Sequence, residues 1–297
     1  MSTITRKQLI LLVILTLVWG INWPILKIGV TNFPPIFFRS ICMWIGLPFL
    51  GLVLWKLKIS FVVPRAQWRE LSMLSFFNMF VWHVMVIVAL PYMTSGRVAI
   101  LGYTMPIFSA IFSVWFFKTP LQSRAWLGVA AATLAVVFLL WHEFTQLAGK
   151  PIGVFMVLSA AGAWAYGIQR LRRTEMTVST LTISFWMTAM TAVVMAVLTT
   201  LVETERWAMP RTETWGAIIF NAFGVFVFAQ TAWLILARGL PPVASTLSVM
   251  FIPVLGVFSG AIWLNEILHW QDWAAVFLIV ISIACVLWPT RDTKSQA

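Results

Sequence analysis

Ten stretches of about 20 mostly apolar residues follow one another along the chain, and about 20 is the length a helix needs to cross a bilayer. They run over 8–30, 36–55, 68–90, 94–117, 122–142, 150–170, 178–202, 212–236, 243–264 and 270–288. Unpaired backbone polar groups cannot face lipid, so such runs cross a membrane as helices. The series therefore predicts an all-α integral membrane protein with ten transmembrane helices. The breaks carry turn chemistry, as at Asn32-Phe33-Pro34-Pro35, Lys118-Thr119-Pro120 and Pro241-Pro242. The longest, 203–211, leaves no room for a soluble domain. Arg6 and Lys7 before an apolar run resemble a secretory signal. The run continues past Gly20 without a small-residue cleavage site, so an uncleaved first helix is expected.

Composition excludes other classes. Only 10% of the 297 residues are charged and 61% are hydrophobic. A soluble domain carries roughly 25% charge, so a water-soluble enzyme and a disordered chain are both ruled out. Cys42 and Cys285 lie far apart in apolar runs and imply no disulfide framework. The net charge of +11 need not indicate nucleic acid. If the N-terminus is cytoplasmic and the helices alternate, 14 of the 20 Lys and Arg residues fall inside. That bias is the topology signal of membrane proteins, and it places both termini in the cytoplasm with no nucleic-acid partner.

Residues i and i+147 can be compared without a gap. Trp68 falls on Trp215, Trp126 on Trp273, Trp141 on Trp288 and Pro106 on Pro253. Trp19-Gly20-Ile21-Asn22 matches Tyr166-Gly167-Ile168-Gln169, and His83 meets Gln230. The constant offset predicts an internal duplication, residues 1–146 and 147–297, with five helices in each half. Five is odd, so the second copy starts on the opposite side of the membrane. Inverted repeats of this kind recur in secondary transporters, with the substrate site near the midplane between them. Small residues spaced by four, Gly256 and Gly260 with Ser109 and Ser113 at the same offset, predict close helix packing. Pro106 and Pro253 are read as intrahelical kinks. Together with Gly20 and Gly167 they are the hinge candidates.

The Trp-Gly-x-Asn of the first helix, Glu266 just after the ninth, and the five-plus-five plan resemble the EamA-type family of the drug/metabolite transporter superfamily. The resemblance covers essentially the whole chain. It implies two inverted repeats around a central cavity, a bacterial inner-membrane location, and export of amino acids or other small metabolites. The aromatic content is similar to the aromatic amino-acid exporter (YddG-type) branch. The first half has Thr119 where the second has Glu266, which departs from the family's commoner pattern.

Polar groups at membrane depth are costly and default to function. Asn78, Trp82 and His83 in the third helix, Gln230 in the eighth, and the Asn22/Gln169 pair are candidate substrate-binding residues. The plainer alternative for each is an interhelical hydrogen bond. Trp19, Tyr103, Trp164 and Tyr166 are candidates for an aromatic cavity wall suited to stacking and cation–π contact. Lys27 and Arg97 are read as snorkelling to the interface. His142-Glu143 is read as an outer loop pair without the companions a metal site needs.

No phosphate-loop motif is present, so the chain itself is not expected to use ATP. All nine acids fall at helix ends or in loops, so facilitated or exchange transport is expected, with His83 the one intramembrane group able to titrate. The expectation is a monomeric carrier in a lipid bilayer, without cofactor, metal or catalytic residues, acting on an amino acid or similar metabolite. Two alternatives stand beside it. One is an integral-membrane enzyme acting on a lipid or prenyl substrate, and the other is a channel or structural bundle.

Overall fold

The computed structural model describes residues 5–118, 123–146, 151–232 and 242–287, and these residues are helical apart from short connections. The helices are α1 (Arg6–Val30), α2 (Pro35–Lys56), α3 (Arg65–Tyr92), α4 (Ser95–Trp115) and α5 (Ser123–Gln146) in the first half. The second half holds α6 (Pro151–Leu171), α7 (Thr180–Val202), α8 (Thr212–Ala232), α9 (Pro242–Leu264) and α10 (Trp270–Leu287). Among the described residues seven, namely α1 to α4 and α6 to α8, are long and apolar enough to cross a membrane. Ser123–Leu139, Phe251–Leu264 and Trp270–Cys285 are shorter apolar runs of 10–17 residues. Large apolar side chains stand exposed on the outer faces, among them Trp55 at 68% and Trp115 at 70%. Water would penalise such a surface and lipid would not. This is a multi-pass membrane protein.

Local chemistry sets the helix ends. Thr5 and Gln8 form a reciprocal capping box at the start of α1. Pro35 occupies the first turn of α2, where its missing N–H costs nothing. Thr94 and Ser179 cap α4 and α7 through their hydroxyls. Asn32 and Asn265 close turns with φ of 62° and 52°, a region asparagine tolerates better than branched residues.

Packing joins the two halves throughout. α1 lies on α8 and α9, α2 on α7 and α8, α3 on α6 and α7, α4 on α6 and α9, and α5 on α10. This pattern maps onto itself when α1–α5 are exchanged with α6–α10. The small residues of α9 act as the sequence implies. A Cβ on Gly256 would stand 2.8 Å from Ala99 Cβ and 2.9 Å from Trp23. Gly256→Val is expected to cost about 1–3 kcal/mol of stability through overpacking. It should appear as a lower melting temperature in detergent, and an unchanged melt would contradict this contact.

Two expectations are corrected. Pro106 is not inside a continuous helix. α4 breaks after Gly102, and Met105–Trp115 restarts with Pro106 in its first turn, where no hydrogen bond is lost. His142 and Glu143 belong to the last turns of α5 rather than to a loop. Pro253 does lie inside α9.

Candidate functional site

The interior polar groups are organised by two irregular helices. α3 widens into a π turn over Phe76–Phe80 and α8 over Phe220–Ala229, at matching places in the two halves. A π turn shifts the backbone register and leaves carbonyls short of donors, and such turns gather at functional sites. Each carries a buried asparagine whose side chain bonds back to the carbonyl four residues earlier. Asn78 Nδ2 donates to Leu74 O at 3.0 Å, and Asn221 Nδ2 donates to Ala217 O at 3.0 Å. The two side-chain oxygens then differ. Asn221 Oδ1 accepts from Arg39 Nη1 at 3.1 Å, whereas Asn78 Oδ1 is buried without a partner.

His83 and Gln230 follow the two π turns. Gln230 Nε2 donates to Ser184 Oγ at 2.9 Å, which ties α8 to α7. His83 is buried, with its ring 5.5 Å from that of Phe226 and Nδ1 unpartnered. In α1 the Oδ1 of Asn22 is likewise buried and unpartnered. On α6, Gly167 packs directly on Asn78, so closely that a Cβ there would overlap the carboxamide. Gly20 plays a similar part on α1, where a Cβ would come within 2.5 Å of Leu255. Both hinge candidates are thus close-packing positions.

The aromatic candidates divide. Trp82 and Trp164 face each other at 6.4 Å, and Tyr103 meets Trp23 edge-on at 6.5 Å. Gly102 joins the pairs, since a Cβ on it would stand 3.2 Å from both Trp23 and Trp82. These four rings form one group from α1, α3, α4 and α6. Tyr166 instead lies among Phe77, Phe112 and Phe116, and Trp19 packs beside Leu12, Leu15 and Ala229. Gln169 is occupied: Nε2 donates to Ser109 O and Oγ at 2.9 and 2.7 Å, and Oε1 accepts from Arg173. It serves as an interhelical bond between α6 and α4.

Two members of this region escaped the sequence reading. Trp23 lies one turn from Trp19, a signal that was present. Arg39 is 3% exposed inside α2, with its guanidinium 5.6 Å from the Phe226 ring centre.

The charged groups of one end also need correcting. Arg97 does not snorkel, because it forms a buried pair with Asp272, Nε to Oδ1 at 2.8 Å and Nη2 to Oδ2 at 3.3 Å. Lys27 Nζ donates to Leu90 O and Met93 O at 2.6 and 2.8 Å. Glu266 accepts from Ser95 N, Ser95 Oγ and Gly96 N at the start of α4, at 2.7, 3.0 and 3.2 Å. Glu203 accepts from Ile36 N at 3.3 Å and Phe37 N at 2.8 Å at the start of α2. Each carboxylate meets the positive end of a helix from the other half of the chain. At the offset of 147, Glu203 and Glu266 correspond to Lys56 and Thr119, and Arg97 and Asp272 to Ala244 and Ala125. At the opposite end, Arg170 pairs with Glu70 at 2.6 Å with both side chains about a third exposed. A groove of about 280 Å³ opens elsewhere, between α2 and α7, and takes in none of the candidate residues.

The profile of the EamA-like transporter family matches residues 6–141 and again 151–288. An uncharacterized inner membrane transporter of Escherichia coli (strain K12), YedA, is 24% identical over 92% of this chain and 88% of its own. A protein of the same organism named as a probable amino-acid metabolite efflux pump is 24% identical over 55% of this chain and 52% of its own. A solved crystal structure aligns with a TM-score of 0.66 at 19% identity, covering 94% of this chain and 96% of the matched one.

Proposed function

The chain belongs to the EamA-like transporter family, and we propose that it is a secondary carrier exporting small metabolites across a bacterial inner membrane. The carrying observation is the set of buried, unpartnered atoms, Asn22 Oδ1, Asn78 Oδ1 and His83 Nδ1, in α1 and α3, the helices that also hold Trp23 and Trp82. Buried polar atoms without partners are costly in a finished fold, and a bound solute would supply partners. Ten transmembrane helices arranged as two inverted repeats, 1–146 and 147–297, with both termini cytoplasmic, complete the reading. The helix pattern that survives exchange of the halves supports it, as does the excess of Lys and Arg in the cytoplasmic segments.

Neutral and aromatic amino acids are the proposed cargo. The aromatic group supports this, and so does the efflux relative's name. Asn22, Asn78, Trp82, His83, Tyr103 and Trp164 would contact it, while Gln169 and Gln230 hold the helices. No acid lies mid-helix among the described residues, so transport follows the solute gradient. A pH gradient that alone drives uphill accumulation would contradict that.

The test is a thermal-shift screen of purified protein against amino acids and nucleobases, since a ligand that binds only the folded state raises its apparent stability. Stabilisation by neutral or aromatic amino acids is expected, and stabilisation by nucleobases alone would overturn the cargo assignment. Trp82→Ala and Trp164→Ala should each weaken transport about tenfold, as expected for loss of an aromatic contact of about 1.4 kcal/mol, while membrane insertion is preserved. Unchanged kinetics in both would remove the pair from the site.

A further inference from the structure

The described residues bury two cations, Arg39 and Arg97, and half-bury Lys27 among others. Arg97 faces the Asp272 carboxylate, and Lys27 gives its ammonium protons to two helix-terminal carbonyls. Arg39 is different. It is 3% exposed, and its contacts are the neutral Asn221 Oδ1 and the face of Phe226. Its Nε–H has no partner.

No carboxylate is available to it among the described residues. The buried acids are Glu203 and Asp272. Glu203 is occupied by the first N–H groups of α2 and the hydroxyl of Thr199, and Asp272 by Arg97 and the His269 N–H. A full charge in a low-dielectric interior costs several kcal/mol unless paired, and an amide oxygen and an aromatic face recover only part of that. Asn221 holds the guanidinium by one nitrogen and leaves another donor free. The Phe226 ring that Arg39 overlies at 5.6 Å is also the ring beside His83, at 5.5 Å. Arg39 therefore shares one aromatic neighbour with an imidazole that is itself short of a partner.

We propose that Arg39 is the anion-receiving residue of the transport site and that the cargo carries a carboxylate, which the guanidinium meets with Asn221 as its positioning residue. This rests on the carrier reading and narrows it: amino acids and other monocarboxylates fit, whereas amines, amides and neutral bases do not. A guanidinium suits the task because its planar fork of donors matches the two oxygens of a carboxylate.

The experiment compares L-phenylalanine, 3-phenylpropionate and L-phenylalaninamide as probes of the full chain in nanodiscs, reading the concentration dependence of thermal stabilisation. The wild type should be stabilised by at least one of the two carboxylates, about tenfold more tightly than by the amide, the factor expected for one charge-assisted hydrogen-bonded contact. Arg39→Gln should abolish that preference and leave the weak amide response unchanged, while Arg39→Lys should retain part of it. The wild-type comparison needs no variant, so a poorly folding Arg39→Gln leaves the proposal exposed to refutation. Equal response to acid and amide, no response to either carboxylate, or an undiminished preference in a folded Arg39→Gln would overturn it. Stabilisation by 3-phenylpropionate without L-phenylalanine would sink the amino-acid reading and keep Arg39 as the anion site. Stabilisation by L-phenylalanine that survives Arg39→Gln would do the reverse.

Discussion

Asp272→Ala is expected to destabilise the bundle by about 3–5 kcal/mol, the usual cost of removing one member of a buried ion pair. The side chains of Arg97 and Asp272 are only 9% and 4% exposed and meet through two nitrogen–oxygen contacts. Asp272 Oδ2 also accepts from His269 N at 2.9 Å, which fixes the first turn of α10. The substitution therefore strips a buried guanidinium of its carboxylate and releases a helix start. The penalty comes from the stranded charge, so the double variant Arg97→Leu/Asp272→Leu should recover much of the loss, since apolar replacement of a whole buried pair is often close to neutral. Melting of the three proteins in one detergent checks this. A double variant as unstable as Asp272→Ala would show that the charge is not the cause.

The second large effect concerns the carboxylates that join the two halves at one end. Glu266→Ala removes three hydrogen bonds from the first turn of α4, and Glu203→Ala removes those at the first turn of α2. Bonds to a charged group contribute about 1.5–3 kcal/mol each. If these contacts hold one end closed, each variant should shift the closed-to-open ratio at least tenfold toward opening at that end. Lys56 and Thr119 occupy the corresponding sequence positions, and neither is an acid. The readout is labelling of a cysteine replacing Tyr103, in a background with Cys42→Ala and Cys285→Ala, by a membrane-impermeant thiol reagent added on the side at which α2 and α4 begin. Faster labelling in the Glu→Ala variants is expected. Equal rates would mean that the carboxylates cap helices without controlling access.

Much of this architecture was legible before any coordinates. Apolar run length gives the helices because lipid forces every backbone bond inside its own segment. The spacing of Gly256 and Gly260 announced a close crossing, and the crossing is there, against Ala99 and Trp23. Of the four aromatic candidates the sequence offers for a cavity wall, Trp164 pairs with Trp82 and Tyr103 with Trp23, whereas Trp19 and Tyr166 lie apart.

What stayed hidden depends on contacts distant in sequence. Arg97 and Asp272 are 175 residues apart, and Glu266 and Ser95 are 171 apart, so no local pattern reveals either pair. Arg39 is hidden in the same way, because a charge count sees position along a run and not the face of the helix. Gln169 resembled a cavity residue, yet its amide is used by Ser109, a partner that only packing discloses. The π turns are invisible for a related reason. Phe76–Phe80 and Phe220–Ala229 contain no residue that compels an extra backbone unit, and it is the surrounding helices and the two asparagines that stabilise it.

The account's central claim is that a solute crosses this bundle by binding in its interior and being carried. Counterflow in proteoliposomes tests that most directly. With vesicles preloaded with an unlabelled neutral or aromatic amino acid, the external labelled form should transiently rise above its equilibrium level, and initial rates should saturate with concentration. Flux of such amino acids that grows linearly without overshoot, or chemical conversion of the solute, would contradict it.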